Sequence, residues 1–366
     1  MVVLFFYLCP ILILFDNSNA YNAYLSIPYT TSPNGYEIEL TIPSIYSSSK
    51  FSLDMSTEFT TINKAHLYNK TIQGDIVTSD IILSANNSIF SIPNCHIRTI
   101  DNNSKKSQGI IGLSPFVFQD REHSFLFQLY DKGVISNLSF SLDTYYNRDR
   151  HKVIYFGGLP LLPQSMNEIT LKIDSSDNKW SIDLQGFYFG TQSYNYTNTN
   201  FAFVNINKNW IYAPDGIITY LSDTIFKDYI KRKLCLHILQ GESQFFTCKC
   251  SIVNIFPNMT FIINGHKLLF KPMYLFHKIQ PGSNCRFLIQ NNILGNEYHN
   301  TWYIGNVFFN QFVTEFDFES QSIHLYSNYI IKYERSNKKV IRSLLLLIVL
   351  LLILDILVNV IVSIKL

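Results

Sequence analysis

The chain has 366 residues and a formal net charge of +2, from 29 basic and 27 acidic residues. This length is sufficient for one large two-lobed unit or two ordinary domains, each with its own core. Because the charges nearly balance and are spread along the chain, they form no basic surface for nucleic acid, and we expect no nucleic-acid partner. The composition is rich in Phe and Tyr, with 29 and 23 residues, and therefore favours strands over helices.

The N-terminus begins with an apolar run over residues 1–15, followed by Ser18-Asn19-Ala20. The run is too short to span a bilayer comfortably, and small residues follow it, which is typical of a cleaved signal peptide. We therefore predict a signal peptide over residues 1–20. An uncleaved anchor and a buried N-terminal strand are the alternatives.

The C-terminus contains a second apolar run, residues 343–364, long enough for a transmembrane helix. A basic juxtamembrane segment, 331–342, precedes it, and by charge alone that segment belongs in the cytosol. The signal peptide indicates the opposite orientation. We give it more weight, because a translocated domain is not easily returned. We expect a single-pass protein of the secretory-pathway membrane (endoplasmic reticulum, Golgi or cell surface), with a lumenal or extracellular body. A lipid anchor near Ser336, replacing the tail, is the alternative.

Two further patterns fit the lumen. Six Asn-x-Ser/Thr sites predict glycosylation, at Asn69, Asn86, Asn102, Asn137, Asn195 and Asn258. Five cysteines follow the signal peptide, and in an oxidising compartment they predict two disulfides and one spare thiol. These are Cys95, Cys235, Cys248, Cys250 and Cys285. No Cys-x-x-Cys pair or His-Glu-x-x-His helix occurs, so we expect no metal and no other cofactor.

Between the two ends, short runs of β-branched and aromatic residues alternate with Asn, Ser, Gly and Pro clusters, which predicts an all-β body. Two helices are predicted, over 124–130 and over 222–233, the second capped by Ser222. A Gly- and Pro-rich segment, 157–164, predicts a linker between two lobes. The lobe boundaries are then 21–165 and 166–330.

Four segments in chain order carry a family resemblance: 109–115, 153–158, 250–285 and 301–326. Together they resemble the pepsin-like (A1) aspartic proteases over nearly all of the body. The resemblance implies the bilobal, all-β acid protease fold, with a groove between the lobes and a hairpin flap over it. The C-terminal anchor and the residues around Cys95 and Cys235 are most similar to the membrane-anchored, plasmepsin V-like branch.

In that family each lobe contributes an Asp-Thr/Ser-Gly turn, and the two carboxylates share a proton while one of them activates water. The first turn matches at Asp54, but Met55 and Ser56 replace the hydroxyl residue and the glycine. Placing the second turn from Thr219-Tyr220-Leu221 puts Ala213 at the second acid. The alternative takes Asp215 as that acid.

The first placement predicts a non-catalytic homologue that binds a peptide or protein segment in the groove. The second predicts an active, divergent endopeptidase that uses Asp54 with Asp215. The resemblance also implies that Tyr68 lies on the flap and that Cys250 pairs with Cys285. Cys235 and Cys248 then form the second pair, and Cys95 remains free.

Overall fold

The computed structural model describes the body of the chain in fifteen stretches. These are residues 24–32, 35–43, 49–64, 75–86, 88–101, 109–115, 121–143, 153–159, 162, 166–174, 179–195, 201–279, 282–292, 301–327 and 330–331. Within these stretches no helix is long and apolar enough to cross a membrane. The predicted signal peptide and transmembrane helix both lie outside them.

Strands dominate, as the composition and the alternating patterns predict. The first lobe contains β1 Leu25–Ser32, β2 Gly35–Thr41, β3 Ser49–Asp54, β4 Thr61–Asn63, β5 Ile76–Ala85, β6 Ser88–Ile100, β7 Gly109–Gly112, β8 Ser139–Asp143 and β9 Val153–Phe156. The second contains β10 Asn167–Lys172, β11 Ser181–Phe189, β12 Gln192–Asn195, β13 Phe201–Val204, β14 Ile211–Ala213, β15 Cys235–Gln240, β16 Ser243–Lys249, β17 Met259–Ile263, β18 His266–Phe270, β19 Phe276–Lys278, β20 Asn284–Asn291, β21 Trp302–Ile304, β22 Val313–Asp317, β23 Ser322–Ser327 and β24 Ile330–Ile331.

Five short α-helices lie between the strands: α1 Phe125–Asp131, α2 Ile217–Asp223, α3 Lys227–Lys231, α4 Pro272–Leu275 and α5 Asn306–Phe309. The helix predicted near 124–130 is confirmed as α1, which Ser124 precedes as N-cap. The helix predicted over 222–233 is wrong in its bounds, because two helices cover this region and Ser222 lies inside α2. The backbone of α2 begins after Gly216, whose φ of 83° is readily adopted only by glycine.

Two twelve-stranded sheets organise the body. The first has the order β10-β23-β22-β8-β9-β1-β2-β3-β7-β4-β6-β5. The main path of the second is β15-β16-β20-β14-β21-β13-β11-β17-β18-β24, with β12 on β11 and β19 on β20. The pairing of β22 with β8 is antiparallel and joins the two lobes through one continuous sheet.

Aromatic packing fills the junction between the lobes. Phe316 on β22 stacks on its cross-strand partner Phe140 on β8, with ring centroids 4.6 Å apart. Trp180 packs edge-on against Phe316 at 5.0 Å, and its indole nitrogen donates a 2.7 Å hydrogen bond to the Leu113 carbonyl of the first lobe. Since these rings are completely buried, the junction is part of the core rather than a flexible hinge.

The cysteines pair as predicted. Cys250 is bonded to Cys285, and Cys235 is bonded to Cys248 across the β15–β16 hairpin. Cys95 is free and buried, and its burial raises the pKa of the thiol to about 11. The thiol is therefore protonated at neutral pH and is a poor nucleophile.

Candidate functional site

The turn after β3 holds the acid predicted for the first lobe. Asp54 is the last residue of that strand, and its carboxylate is partly exposed. The carboxylate accepts three hydrogen bonds from the residues that follow: 2.9 Å from the Ser56 amide, 2.6 Å from the Ser56 hydroxyl and 2.7 Å from the Thr57 hydroxyl. These donors occupy both carboxylate oxygens.

The equivalent turn of the second lobe is located by strand register. In the first lobe β3 runs parallel to β7, and Asp54 lies beside Gly112. In the second lobe β13 runs parallel to β21 in the same way, with Val204 beside Ile304. One residue further along, Asn205 reaches Gly305 and donates its backbone N–H to the Ile304 carbonyl at 3.0 Å. Asn205 is therefore the counterpart of Asp54.

Local hydrogen bonding repeats between the two turns. The Ser56 amide donates to the Asp54 side chain at 2.9 Å, and the Asn207 amide donates to the Asn205 side chain at 2.9 Å. The same offset makes Ile206 the counterpart of Met55 and Lys208 the counterpart of Thr57. The second turn therefore reads Asn205-Ile206-Asn207-Lys208.

This register corrects the position predicted for Ala213. Ala213 ends β14, the strand after the turn, and is completely buried; its counterpart in the first lobe is Ile62 of β4. The rival residue Asp215 lies in the exposed turn between β14 and α2. Neither residue occupies the place related to Asp54, because Ala213 lies in the strand after the Asn205–Lys208 turn and Asp215 follows that strand.

A buried contact links the two turns. The backbone N–H of Ile206 donates to the thioether sulfur of Met55 at 3.3 Å. A hydroxyl at Met55 could both donate and accept, whereas a thioether only accepts, and weakly. Since Ile206, the counterpart residue, has an apolar side chain, no reciprocal side-chain bond is possible, and the link between the turns is one-sided.

Two glycines allow the neighbouring chains to approach each turn. A Cβ on Gly112 would lie 2.5 Å from the Thr57 carbonyl oxygen, and one on Gly305 would lie 2.2 Å from that of Lys208. The Gly at the end of each apolar-apolar-Gly segment is thus required by backbone contact. This repeated contact supports the pairing of Thr57 with Lys208.

Lys208 introduces a charge near the retained acid. Burial lowers the pKa of its ammonium group, and the negative charge of Asp54 opposes that shift. The two turns therefore bring together one carboxylate, one amide and one ammonium group. An amide, unlike a carboxylate, carries no negative charge and cannot share a proton with Asp54.

Other predicted site residues are placed as follows. Tyr68, Asn69 and Asn102 lie outside the described residues, whereas Asn137 and Asn258 are exposed. Asn195 ends β12. Asn86 uses its side chain to hold β1: it accepts from the Ser26 amide and hydroxyl at 2.7 Å and donates to the Tyr24 carbonyl at 2.9 Å. Among the described residues, no group of three or more His, Cys, Asp or Glu side chains is placed to hold a metal ion.

The fold and site define a two-lobed β protein with a duplicated strand-turn unit. Asp54 and Asn205 hold equivalent positions in its two copies. The chain belongs to the eukaryotic aspartyl protease family, whose model matches residues 41–327. It is similar to pepsin A of Rhinolophus ferrumequinum, 24% identical over 212 residues, which cover 57% of this chain and 51% of the relative. It is also similar to pregnancy-associated glycoprotein 2 of Bos taurus, 25% identical over 225 residues, covering 59% and 54%. The chain thus matches about half of the length of these relatives.

Sequence reasoning missed Asn205, although a signal for it was present. The apolar residues Phe201-Ala202-Phe203-Val204 lead into Asn205 as Phe51-Ser52-Leu53 lead into Asp54. The prediction instead counted back from Thr219-Tyr220-Leu221, which lie within α2. This similarity makes Asn205 a candidate, and the pairing of β13 with β21 distinguishes it from Ala213 and Asp215.

Proposed function

We propose that this chain is a non-catalytic member of the aspartyl protease family that binds a peptide or protein segment between its lobes. One observation carries the proposal: Asn205 stands where the register calls for the second aspartate. The family mechanism requires two acids that share a proton, one to accept a proton from water and one to polarise the scissile carbonyl. With an amide in one position, half of this chemistry is missing.

The neighbours of Asp54 support the same conclusion. Both of its oxygens accept hydrogen bonds from Ser56 and Thr57, and Lys208 adds a positive charge nearby. In these contacts the Asp54 side chain acts only as a hydrogen-bond acceptor. Such a group suits the binding of a peptide N–H better than acid–base catalysis.

We further propose that the body is lumenal or extracellular and is held at a secretory-pathway membrane by residues 343–364, as in the plasmepsin V-like branch. The apolar tail, the predicted signal peptide and the sequons support this placement. Protease protection of the body in microsomes, together with a shift in mobility after glycosidase treatment, tests it. A body digested in intact microsomes would contradict the orientation.

The proteolytic test uses the full-length chain with a fluorogenic peptide library between pH 3 and 7. We expect no cleavage above background, and we expect Asp54→Asn to leave that background unchanged. Cleavage that pepstatin inhibits and Asp54→Asn removes would overturn the proposal. Asp215→Asn is the matched variant for the rival endopeptidase, since only that mechanism requires Asp215.

Restoration provides a stricter test. Asn205→Asp returns the second carboxylate, and the triple variant Asn205→Asp, Lys208→Thr, Met55→Thr also returns the hydroxyl groups and removes the ammonium. We expect measurable acid proteolysis from the triple variant and less from the single one, because two adjacent carboxylates need supporting donors to share a proton. Cleavage by the unmodified chain equal to that of either variant would show that Asn205 is not the defect.

A further inference from the structure

A cavity lies in the second lobe, and one of its lining residues, Trp210, follows the Asn205–Lys208 turn by two residues. It has a volume of about 550 Å³ and is lined by Trp210, Phe245, His277, Lys278, Ile279 and Arg286. Cavities of this size accommodate side chains or small ligands. Three of its six lining residues are basic or can become so, and none is acidic.

Arg286 lines this cavity between two aromatic rings. Its guanidinium carbon lies 3.7 Å from the ring centroid of Phe245 and 4.3 Å from that of Trp210, so two aromatic faces hold the group. One terminal nitrogen donates to the Gln290 side chain, while Nε is buried without a hydrogen-bond partner. Among the described residues no carboxylate forms an ion pair with it.

The Arg286 guanidinium is thus held in place with no counter-charge among the residues that the structure describes. A buried donor without an acceptor and a charge without a counter-charge both carry a free-energy cost. Burial lowers the pKa of Arg286, yet a guanidinium remains charged at neutral pH. His277 and Lys278 are exposed at the same cavity, and the Trp210 and His277 rings lie 6.2 Å apart. A carboxylate is the group that matches the planar donors of arginine.

We propose that this cavity binds the carboxylate of an acidic side chain in a peptide ligand. The aromatic walls contact the apolar part of that ligand, and Arg286 receives its carboxylate. The inference rests on the proposed function for the peptide nature of the ligand, and it adds the chemical class that the second lobe selects.

The first lobe offers a matched control. There Arg98 lies 3.9 Å from the ring centroid of Phe59, the counterpart of Trp210, and His123 lies edge-on to that ring at 6.2 Å. His123 is buried, whereas His277 is exposed. Arg98→Met therefore removes a similar stacked guanidinium without altering the proposed site.

The test measures binding to the full-length chain by tryptophan fluorescence. Trp210 is the reporter, because the other two tryptophans, Trp180 and Trp302, are completely buried. The probes are the capped peptide acetyl-Ala-Phe-Glu-Leu-Ala-amide and its Gln counterpart. A charge-assisted hydrogen-bond pair predicts that the Glu peptide binds about tenfold more tightly than the Gln peptide. Added salt should reduce that ratio.

Arg286→Met should bring the ratio of the Glu-peptide affinity to the Gln-peptide affinity to about one. Arg286→Lys should retain part of the preference for the Glu peptide, and Arg98→Met should leave that preference unchanged. The circular dichroism spectrum of each variant verifies its fold. Equal affinity for the two peptides, a ratio that survives Arg286→Met, or no binding of either peptide would overturn the inference. Tighter binding of a phosphoserine peptide than of the Glu peptide would also overturn it. Failure of the proposed function is seen separately, as cleavage products by mass spectrometry.

Discussion

At the scale of single residues, the two equivalent turns differ in one side chain of nearly equal size, Asp54 in the first and Asn205 in the second. Asn205 preserves the local hydrogen bond that Asp54 makes, since each side-chain oxygen accepts from the amide two residues ahead at 2.9 Å. The turn therefore keeps its shape without its charge. The difference between the carboxylate and the amide is consequently one of chemistry rather than of fold.

The bond from Ile206 to Met55 gives the first stability prediction. Met55→Leu keeps the buried volume but removes the acceptor, which leaves the Ile206 N–H unsatisfied. We expect a loss of about 1–3 kcal/mol in urea unfolding and faster hydrogen exchange at the Ile206 amide. Leu53→Met, a volume-conserving change two residues earlier on β3, is the control. Unchanged exchange at Ile206 would show that the sulfur contributes nothing.

The close backbone contacts of Gly305 give the second stability prediction. A Cβ there would lie 2.2 Å from the carbonyl oxygens of both Lys208 and Trp210, so Gly305→Ala must displace backbone. We expect a loss of about 3 kcal/mol or more. Gly133→Asn is the control, because Gly133 has φ of +67° and no neighbouring atom within 4 Å, and Asn tolerates this conformation. Similar losses in thermal unfolding of the two variants would contradict the close approach.

At this scale the sequence was sufficient for Asp54 and for both disulfides but not for Asn205. Asp54 directly follows the strand-like segment Phe51-Ser52-Leu53, and the cysteines matched a family pattern. Identifying Asn205 required the pairing of β13 with β21, whose residues lie far apart in the chain. Such register depends on tertiary contacts that single-residue patterns do not contain.

At the scale of elements, β22 and β23 contain a group of titratable residues. His324 on β23 lies 2.9 Å from Glu168 and 3.8 Å from Asp317, and these carboxylates raise the pKa of His324. Burial is the largest single influence on the pKa of Asp317 and raises it. The nearby His324 imidazole and hydrogen bonds from Ser320 and Glu319 outweigh burial and lower that pKa to about 2.

The sign of each shift fixes the pH dependence. His324 stabilises the fold fully below its unfolded pKa of about 6.5, and this contribution is lost as pH rises through its raised folded pKa. Asp317 stabilises the fold at pH values above its unfolded pKa of about 3.9, and this contribution is lost as pH falls towards its folded pKa of about 2. We therefore expect the interlobe sheet to be most stable between about pH 4 and 6.5.

The measurement is the free energy of unfolding across pH 4–8. Its decline above pH 6.5 should be smaller in His324→Gln than in the unmodified chain. Glu315, whose pKa burial raises and His324 lowers, is present in both proteins, so the difference between them reports His324 together with its effect on Glu315. His277→Gln, an exposed histidine on β19, should retain the full decline; the same flattening in both variants would exclude this cluster as the cause.

The boundaries of the helices were harder to predict from local sequence patterns than the existence of the strands. The predicted helix over 222–233 became two helices because Phe226 turns inward between them and stacks on Phe246, with centroids 4.0 Å apart. The β elements were predicted more reliably, since alternating apolar residues and turn clusters are local signals. The tertiary contact that divides the helix is not local.

At the scale of the whole molecule, the two lobes share one sheet and one aromatic junction. Phe316→Ala removes a ring stacked on Phe140 and packed against Trp180, and we expect a loss of about 3–5 kcal/mol. Because β22 bonds to both lobes, amide protection should fall together in β3 and β14. Phe201→Ala, with Phe201 45% exposed, is the control. Loss of protection in one lobe alone would indicate independent folding.

The last strand has a mechanical consequence. β24 is bonded to β18 only through Ile330 and Ile331, which pair with Leu268 and Lys267. The preceding strand, β23, is paired along its length with both β10 and β22. A pulling force applied through the C-terminal residues would therefore peel away two residues at low load and then meet a strand held on both sides. Strand β24 would detach from β18 first, and the pairing of β23 with β10 and β22 would then resist the force. The turns around Asp54 and Asn205 would therefore carry little of a force applied at the tail.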